Sequence, residues 1–418
     1  MTSVPGPAIA VAQKILALAQ KYEGETNNEI RRRSIRAQLQ DMSDELLRAI
    51  LTPSEYAILV AEAFHESSAL NLATAAKVAD ALGDGHSTVQ DLASKTGYRA
   101  HHLGKPSICS LFMNLIVWWA TRTALTCLAS KGIFEEVDGF GCKIFKNNEN
   151  SRVLSGSHPD AVDGAIGFIC DEGFKSASRL ADAASPSVSV AGLPAGSLAF
   201  NVQIPLFKWI ASQPENAWRL QRQMKAYDQL HHMANHGLEE DFAWGALRSP
   251  IVDVGCGIAS TERALLEHAS TKHLRFTLFD LPPVLEKTRK LWEEAGVQDK
   301  ATFIAGDFFQ TPSVIPAGAP TYMLRHIFLE WQDDKALIFL KNIHDAMMSD
   351  SVLLVVEVLL HEDSDRLIRT SSMHMLSLNN AVTRTLPETI VLLEKVGFKL
   401  KKVNRLLAAD SVIEFVKA

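Results

Sequence analysis

The sequence predicts an α/β protein, a doubly wound parallel sheet in its second half preceded by a mostly helical region. Three strand ends carry that prediction. Ile251-Val-Asp-Val254 is an apolar run that breaks into Gly255-Cys256-Gly257. Glycine there lets the backbone pass close to a ligand where a Cβ would collide. Asp280 closes the next run, Phe276-Thr-Leu-Phe279, about 25 residues on, where such a sheet sets an acid against ribose hydroxyls. A third run, Thr302-Phe-Ile-Ala305, ends in Gly306-Asp307-Phe308-Phe309. A lone Gly-x-Gly is a weak signal, but the ordered triplet describes a nucleoside-binding crevice.

The spacing also separates two cofactor classes. A nicotinamide fingerprint requires Gly-x-Gly-x-x-Gly so that a pyrophosphate can sit on a helix N-terminus. Here the turn reads Gly255-Cys-Gly257-Ile-Ala-Ser260, with Ser260 in the place of the third glycine, and no Gly-Lys-Ser/Thr phosphate loop occurs. The pattern suits a nucleoside ligand without a pyrophosphate, and S-adenosylmethionine is the candidate.

At 418 residues the chain suits two domains rather than one core. The small-residue stretch Ala184–Gly196 marks the boundary, giving residues 1–198 and 199–418. The net charge of −6 gives no electrostatic footprint for nucleic acid. Five irregularly spaced cysteines form neither a metal-ligand pattern nor a disulfide framework, so no metal is expected and a reducing cytoplasm is. The N-terminus lacks the pattern of a secretory signal. The apolar stretch Pro106–Thr121 is uncharged but falls short of the roughly 20 residues of a membrane span, so no membrane association is expected.

Within the first half, Val11–Tyr22, Glu29–Leu51, Pro53–Phe64 and Leu70–Leu82 carry helical apolar spacing. Thr88–Gly97 reads as a helix with a glycine cap. Ala124–Lys131 reads as a helix running into a strand at Ile133–Glu136. Helix, turn, helix and a small β element make the winged-helix pattern; in an acidic protein its apolar faces suit a homodimer better than DNA. Further strands are expected at Tyr322–Phe328, Val352–Leu360, Val403–Leu407 and Ser411–Val416. His231, His232 and His236 sit in a helical stretch, with His232 and His236 on one face. No third ligand accompanies them, so pocket lining is the preferred reading.

With these residues assembled, the chain resembles the fungal branch of the class I O-methyltransferases, whose Rossmann-like cofactor domain follows a winged-helix dimerisation domain. The resemblance rests on Asp253-Val-Gly-Cys-Gly257, Phe279-Asp-Leu-Pro282, Gly306-Asp-Phe-Phe309 and Tyr322–Trp331. Glu357 after Leu353-Leu-Val-Val356, and Arg384-Thr-Leu-Pro-Glu388, complete it. It implies cofactor contacts at Gly255 and Gly257, and at Asp280 with its neighbour Leu281 for the ribose. It further implies Asp307 and Phe308 for the adenine and Arg325 for the methionyl end.

Two departures stand against the matches. The family carries His-Asp-Trp after the fourth strand, and that histidine deprotonates the acceptor hydroxyl. Here the segment reads Leu329-Glu330-Trp331, and leucine accepts no proton. A positioned base contributes roughly 10²–10⁴-fold in rate. The flanking glutamates persist as Glu357 and Glu388, Glu330 is the alternative acceptor, and an extended strand would turn His326 to the opposite face from residue 329. The second departure is an apolar stretch of about nineteen residues, 104–123, read either as a helical insert lining the pocket or as a translated intron.

The resemblance implies three functions. The missing base ranks first a pericyclase of the leporin-type pyridone branch, in which bound, unconsumed S-adenosylmethionine lends its positive charge to a pericyclic reaction of a quinone methide. An O-methyltransferase acting on a polyketide or pyridone hydroxyl is the alternative, and a non-catalytic cofactor-binding partner is the third. The expected catalytic set is Leu329, Glu330, Glu357, Glu388 and His232.

Overall fold

The computed structural model describes residues 6–96, 110–185, 192–204, 206–231, 242–406 and 410–418. The chain divides into two compact units, Glu45–Leu230 and a second formed by Met1–Asp44 with His231–Ala418. The sequence-based division at 198/199 separates the chain differently. In the second unit Asp41 pairs with Arg369 at 3.5 Å and Asp44 with Arg366 at 3.9 Å, contacts between segments more than 300 residues apart that composition cannot reveal.

Unit Glu45–Leu230 contains a small antiparallel sheet, β1 (His86–Thr88), β2 (Phe134–Glu136) and β3 (Ile144–Asn147), in the order β1-β3-β2. Leu92, Leu125, Leu128, Phe134 and Phe145 bury its core. The helix Ser110–Ser130 runs without a break through the described part of the apolar stretch; residues 104–109, like the Gly97 cap, lie outside the described residues. The continuous helix expected over Leu70–Leu82 is two, Phe64–Ala75 and Val78–Leu82, because Lys77 turns left-handed at φ 51°. Neither glycine nor proline marks that break, so no local signal announces it. Among the described residues, no helix is long and apolar enough to cross a membrane.

The second unit is built on seven strands: β4 (Ile251–Val254), β5 (Phe276–Asp280), β6 (Ala301–Ala305), β7 (Thr321–Arg325), β8 (Val352–Val358), β9 (Phe398–Arg405) and β10 (Asp410–Lys417). Their order is β6-β5-β4-β7-β8-β10-β9. The pairs from β6 through β8 are parallel, and β10 runs antiparallel to β8 and β9. The central strands read as unbroken apolar runs because both faces are covered. Side chains alternate between two cores: Val252, Val254, Tyr322, Leu324, Leu353 and Val355 face one, and Ile251, Leu278, Met323, Leu354 and Val356 face the other. That alternation is the period of two of a strand.

The chain builds outward from β4 through β5 to β6, then returns to lay β7 on the other side of β4. The strand order therefore reverses between β4 and β7. In an open α/β sheet the crevice beyond the carboxyl ends of the strands at such a reversal is where ligands bind. Gly255 leaves β4 there, and His326 leaves β7.

Candidate active site in the crevice beyond β4 and β7

The turn after β4 needs its glycines. Gly255 stands at φ 81° and Gly257 at φ 53°, a left-handed region costly for side chains. A Cβ on Gly255 would lie 2.6 Å from Ile327 Cδ1, whereas one on Gly257 would meet nothing within 4 Å, so the crevice is open in front of it. The turn is tied down by Gly255 N–H donating to Phe279 O at 2.8 Å and by Thr288 Oγ1 donating to Gly257 O at 2.7 Å.

Asp280 is held by the same turn. Its Oδ2 accepts from Gly257 N–H at 2.8 Å and its Oδ1 from Leu281 N–H at 2.7 Å. Burial raises its pKa, with those two N–H groups opposing. Each carboxylate oxygen keeps a second lone pair, which suits a vicinal diol. Leu281 beside it leaves 48% of its surface open. Asp307 is exposed and its Oδ1 caps Phe309 N–H at 2.9 Å. The half-buried Phe308 ring packs edge-on to Phe339 and Trp331 with centroids at 5.3 and 6.2 Å. The cofactor residues expected from the sequence thus end or follow the strands β4, β5 and β6 and, with Arg325, β7.

Below the turn lies a group the sequence reading missed. Asp253 and Glu262 are both buried and hydrogen-bonded to each other, and burial is the main cause that raises both pKa values. The pair is drawn back by Arg325, whose charge favours both carboxylates. Two adjacent carboxyls in low dielectric hold a proton between them. One oxygen of each, Asp253 Oδ1 and Glu262 Oε1, has no partner.

Arg325 ends β7 and reaches toward Asp410, Nη2 to Oδ2 at 3.7 Å. The next residue corrects the strand-parity argument. His326 is not extended but left-handed at φ 54°, and a short 3-10 turn, Phe328–Glu330, follows. Alternation therefore stops at Arg325, and His326 Nε2 lies 2.7 Å from Asp410 Oδ1. Asp410 raises the His326 pKa above its ordinary value against the opposing effect of burial, which is the largest single cause, and Glu357 adds to the rise.

Leu329 sits on that turn with its N–H donated to Glu357 Oε2 at 3.0 Å and its carbonyl accepting from Val382 N–H at 2.8 Å. Glu357 is 2% exposed, its Oε1 has no partner, and burial pushes its pKa up to about 7. Glu330 is reached by water yet crowded by protein on its other sides, the setting of a concave wall. That crowding pushes its pKa up to about 7; His326 pulls it down and Asp280 pushes it up. Arg384, part of a matched motif but given no role from sequence, clamps the turn. It donates from Nη1 to Phe328 O and from Nη2 to Trp331 O, both at 2.8 Å, and its guanidinium lies 4.2 Å over the Phe328 ring.

Glu388, expected beside the base position, is exposed and forms half of a capping box. Its Oε2 accepts from Thr385 N–H at 2.8 Å and Thr385 Oγ1 at 2.7 Å, and these bonds lower its pKa. The catalytic role implied for Glu388 finds no support in those contacts. His232 lies outside the described residues. Two surface hollows of about 380 and 430 Å³, lined by His361, Glu362, Asp363 and Arg405 and by Phe242–Ala246 with Ser270 and Thr271, share no residue with this crevice. No cluster of metal-binding side chains occurs among the described residues.

Residues 197–399 match the O-methyltransferase domain family. A phenazine O-methyltransferase, PhzM, of Lysobacter antibioticus is 25% identical over 351 residues, covering 83% of this chain and 92% of that one. The O-methyltransferase bik3 of Gibberella fujikuroi is 28% identical over 226 residues, 52% of this chain and 49% of its own, so that match spans about half of the relative. Among solved structures, NcsB1, an O-methyltransferase from neocarzinostatin biosynthesis, superposes with a TM-score of 0.65 at 22% identity, over 84% of this chain and 96% of that one. That crystal holds S-adenosylmethionine and 2-hydroxy-5-methyl naphthoic acid; at such identity the likeness establishes a shared fold. Over residues 197–399, just under half of its length, the chain is therefore similar to the O-methyltransferase domain family.

Proposed function

We propose that this chain is an S-adenosylmethionine-dependent O-methyltransferase of secondary metabolism, in which Glu330 takes the place of a histidine as proton acceptor. The observation that carries the reading is the Glu330 carboxyl. It stands next to the missing base, at the crevice beyond β4 and β7, with its pKa at about 7. A general base works best with its pKa near the operating pH.

The residues present fit the cofactor. The open space before Gly257 and the Asp280 carboxylate would hold a nucleoside, with the carboxylate as acceptor for its ribose hydroxyls. Leu281 and Phe308 offer apolar surface to the adenine, with Asp307 beside them as a hydrogen-bond acceptor. When bound, the cofactor supplies an electrophilic methyl group on a sulfonium. Glu330 takes the hydroxyl proton of the substrate on a carboxylate oxygen and leaves the substrate oxygen nucleophilic. Glu357 and Arg384 keep the turn bearing Leu329 and Glu330 in one conformation. The acceptor is a hydroxyl on a small aromatic or polyketide compound; NcsB1 holds a hydroxynaphthoic acid.

Leu329 favours a second reading, the pericyclase. A side chain with no proton-accepting atom at the family's base position leaves an apolar wall, suited to shaping a pericyclic transition state beside a fixed positive charge. Incubation with methyl-labelled S-adenosylmethionine and a panel of hydroxyarenes, in parallel with a pyridone quinone methide precursor, separates the two. Labelled methyl ether supports the first reading. Cyclised product with no labelled ether overturns it in favour of the second.

The protein acts as a homodimer. The helix Pro53–Glu62 has no buried residue, yet it exposes Ile58, Leu59 and Val60. Exposed apolar faces of this kind mark interfaces, and a second copy offers the same apolar face in return.

A further inference from the structure

The segment leaving β7 is fastened from three sides. His326 N–H donates to Val356 O of β8 at 3.1 Å, and its Nε2 lies 2.7 Å from Asp410 Oδ1 at the start of β10. Leu329 N–H is held by Glu357 of β8 at 3.0 Å. Between these anchors the chain passes through a left-handed residue at φ 54° that is not glycine. Such a conformation is uncommon for a side chain, though histidine, asparagine and aspartate adopt it more readily than others. It persists only where surrounding contacts over-determine it, and it concentrates at functional sites. The charged groups facing the ring are Asp410, Glu357 and Arg325, together with Glu330, whose carboxylate the ring favours.

We propose that His326, locked to Asp410, is a positioning residue: it turns the chain out of β7 so that Leu329 and Glu330 face the crevice, and its ring presents a positive charge to the Glu330 carboxylate. The inference deepens the reading of Glu330 as the proton acceptor and rests on that reading only for its kinetic test. The ring moves no proton to the substrate in this scheme. It favours the ionised acceptor where its crowded surroundings would otherwise hold it protonated, as a nearby opposite charge does.

The test is a carboxyl and imidazole NMR titration of the full-length protein carrying ¹³C-labelled glutamate and histidine. The Glu330 resonance is assigned by its loss in Glu330→Gln. In wild type, the His326 ring should titrate above the ordinary histidine value; a ring already neutral at pH 6.5 would overturn the proposal without any variant. His326→Asn keeps a residue that accepts the left-handed backbone and removes the charge. In that variant the Glu330 midpoint should rise by on the order of one pH unit. An unmoved Glu330 midpoint in a folded His326→Asn protein overturns the proposal. If that variant does not fold, Asp410→Asn takes its place: the His326 midpoint should fall and the Glu330 midpoint rise, and neither moving would overturn it. In kinetics, the acid limb of methyl transfer should follow the Glu330 midpoint. A loss of kcat with an unshifted limb is what a merely structural role would give. Wild-type turnover by Glu330→Gln would defeat the base assignment instead, and the NMR midpoints would still decide this one.

Discussion

Replacing Glu330 with glutamine tests the chemistry most directly, because its setting predicts both a magnitude and a pH. The carboxyl is pushed to about 7 by its crowded surroundings, and it acts as a base only when ionised. With a midpoint near 7, roughly a tenth of the protein carries the active form at pH 6 and roughly nine tenths at pH 8. The sign follows: kcat/KM rises about tenfold between those values, whereas a carboxylate at its ordinary value of 4.5 would give a flat profile. Glu330→Gln should cost about 10²-fold or more in kcat and remove the acid limb, with cofactor affinity unchanged. The assay is methyl transfer from labelled cofactor between pH 5.5 and 9, with affinity measured by calorimetry. A flat wild-type profile from pH 6 to 8, or a Glu330→Gln protein that turns over normally, refutes the reasoning.

Four further outcomes are expected. Asp280→Ala should weaken cofactor binding by about 1–3 kcal/mol, since two ribose hydroxyls lose their acceptors; calorimetry showing unchanged affinity would remove Asp280 from the site. Glu357→Gln should change how stability depends on pH. Glu357 sits near 7 in the fold against an ordinary 4.5, so the folded state binds the extra proton and stability is lost as pH rises through that window. The gap of about 2.5 units is worth about 3 kcal/mol; melting curves of wild type and variant that stay parallel from pH 4.5 to 8 would contradict it. Leu329→His in the Glu330→Gln background should restore at least tenfold of the lost methyl transfer by returning an imidazole to the family's position, and no recovery would count against position 329 as the base site. Sedimentation at micromolar concentration should give about twice the 45.9 kDa chain mass, and a species at the chain mass itself rules out the dimer.

The sheet was readable from sequence because its strands are buried on both faces. That burial makes unbroken apolar runs such as Ile251–Val254 and Leu353–Val356, and the first run ends at Gly255, whose φ of 81° and close approach to Ile327 disfavour a side chain. The positions of Asp280 and Asp307, proposed to face the cofactor, were readable for a related reason: they lie at the ends of strands in one parallel set, so order along the chain reproduces order in space. Glu388 was readable too, as Thr385-Leu-Pro-Glu388 has the form of a capping box, but the family pattern drew it toward chemistry. What escaped are contacts that need tertiary structure. Asp410 meets His326 across 84 residues of chain, and Arg384 reaches the carbonyls of Phe328 and Trp331 from over 50 residues away.

The misplacement of His326 shows how such a contact hides. Counting alternation past Arg325 assumes the strand continues, and nothing in Arg325-His-Ile-Phe-Leu-Glu330 announces a break. The left-handed corner exists because Asp410 and Val356 hold the residue on both its side chain and its backbone. The loss of a base at position 329 is visible from one aligned letter, whereas the groups that compensate for it are set by distance. Glu330 draws its raised pKa from the shape of the crevice wall, and its ionised form draws support from a histidine that the next strand but one keeps charged. In the proposed reading the acceptor shifts by one residue, from position 329 to Glu330, while the contacts that would support it come from distant strands, and the pH profile of Glu330 is where that reading becomes measurable.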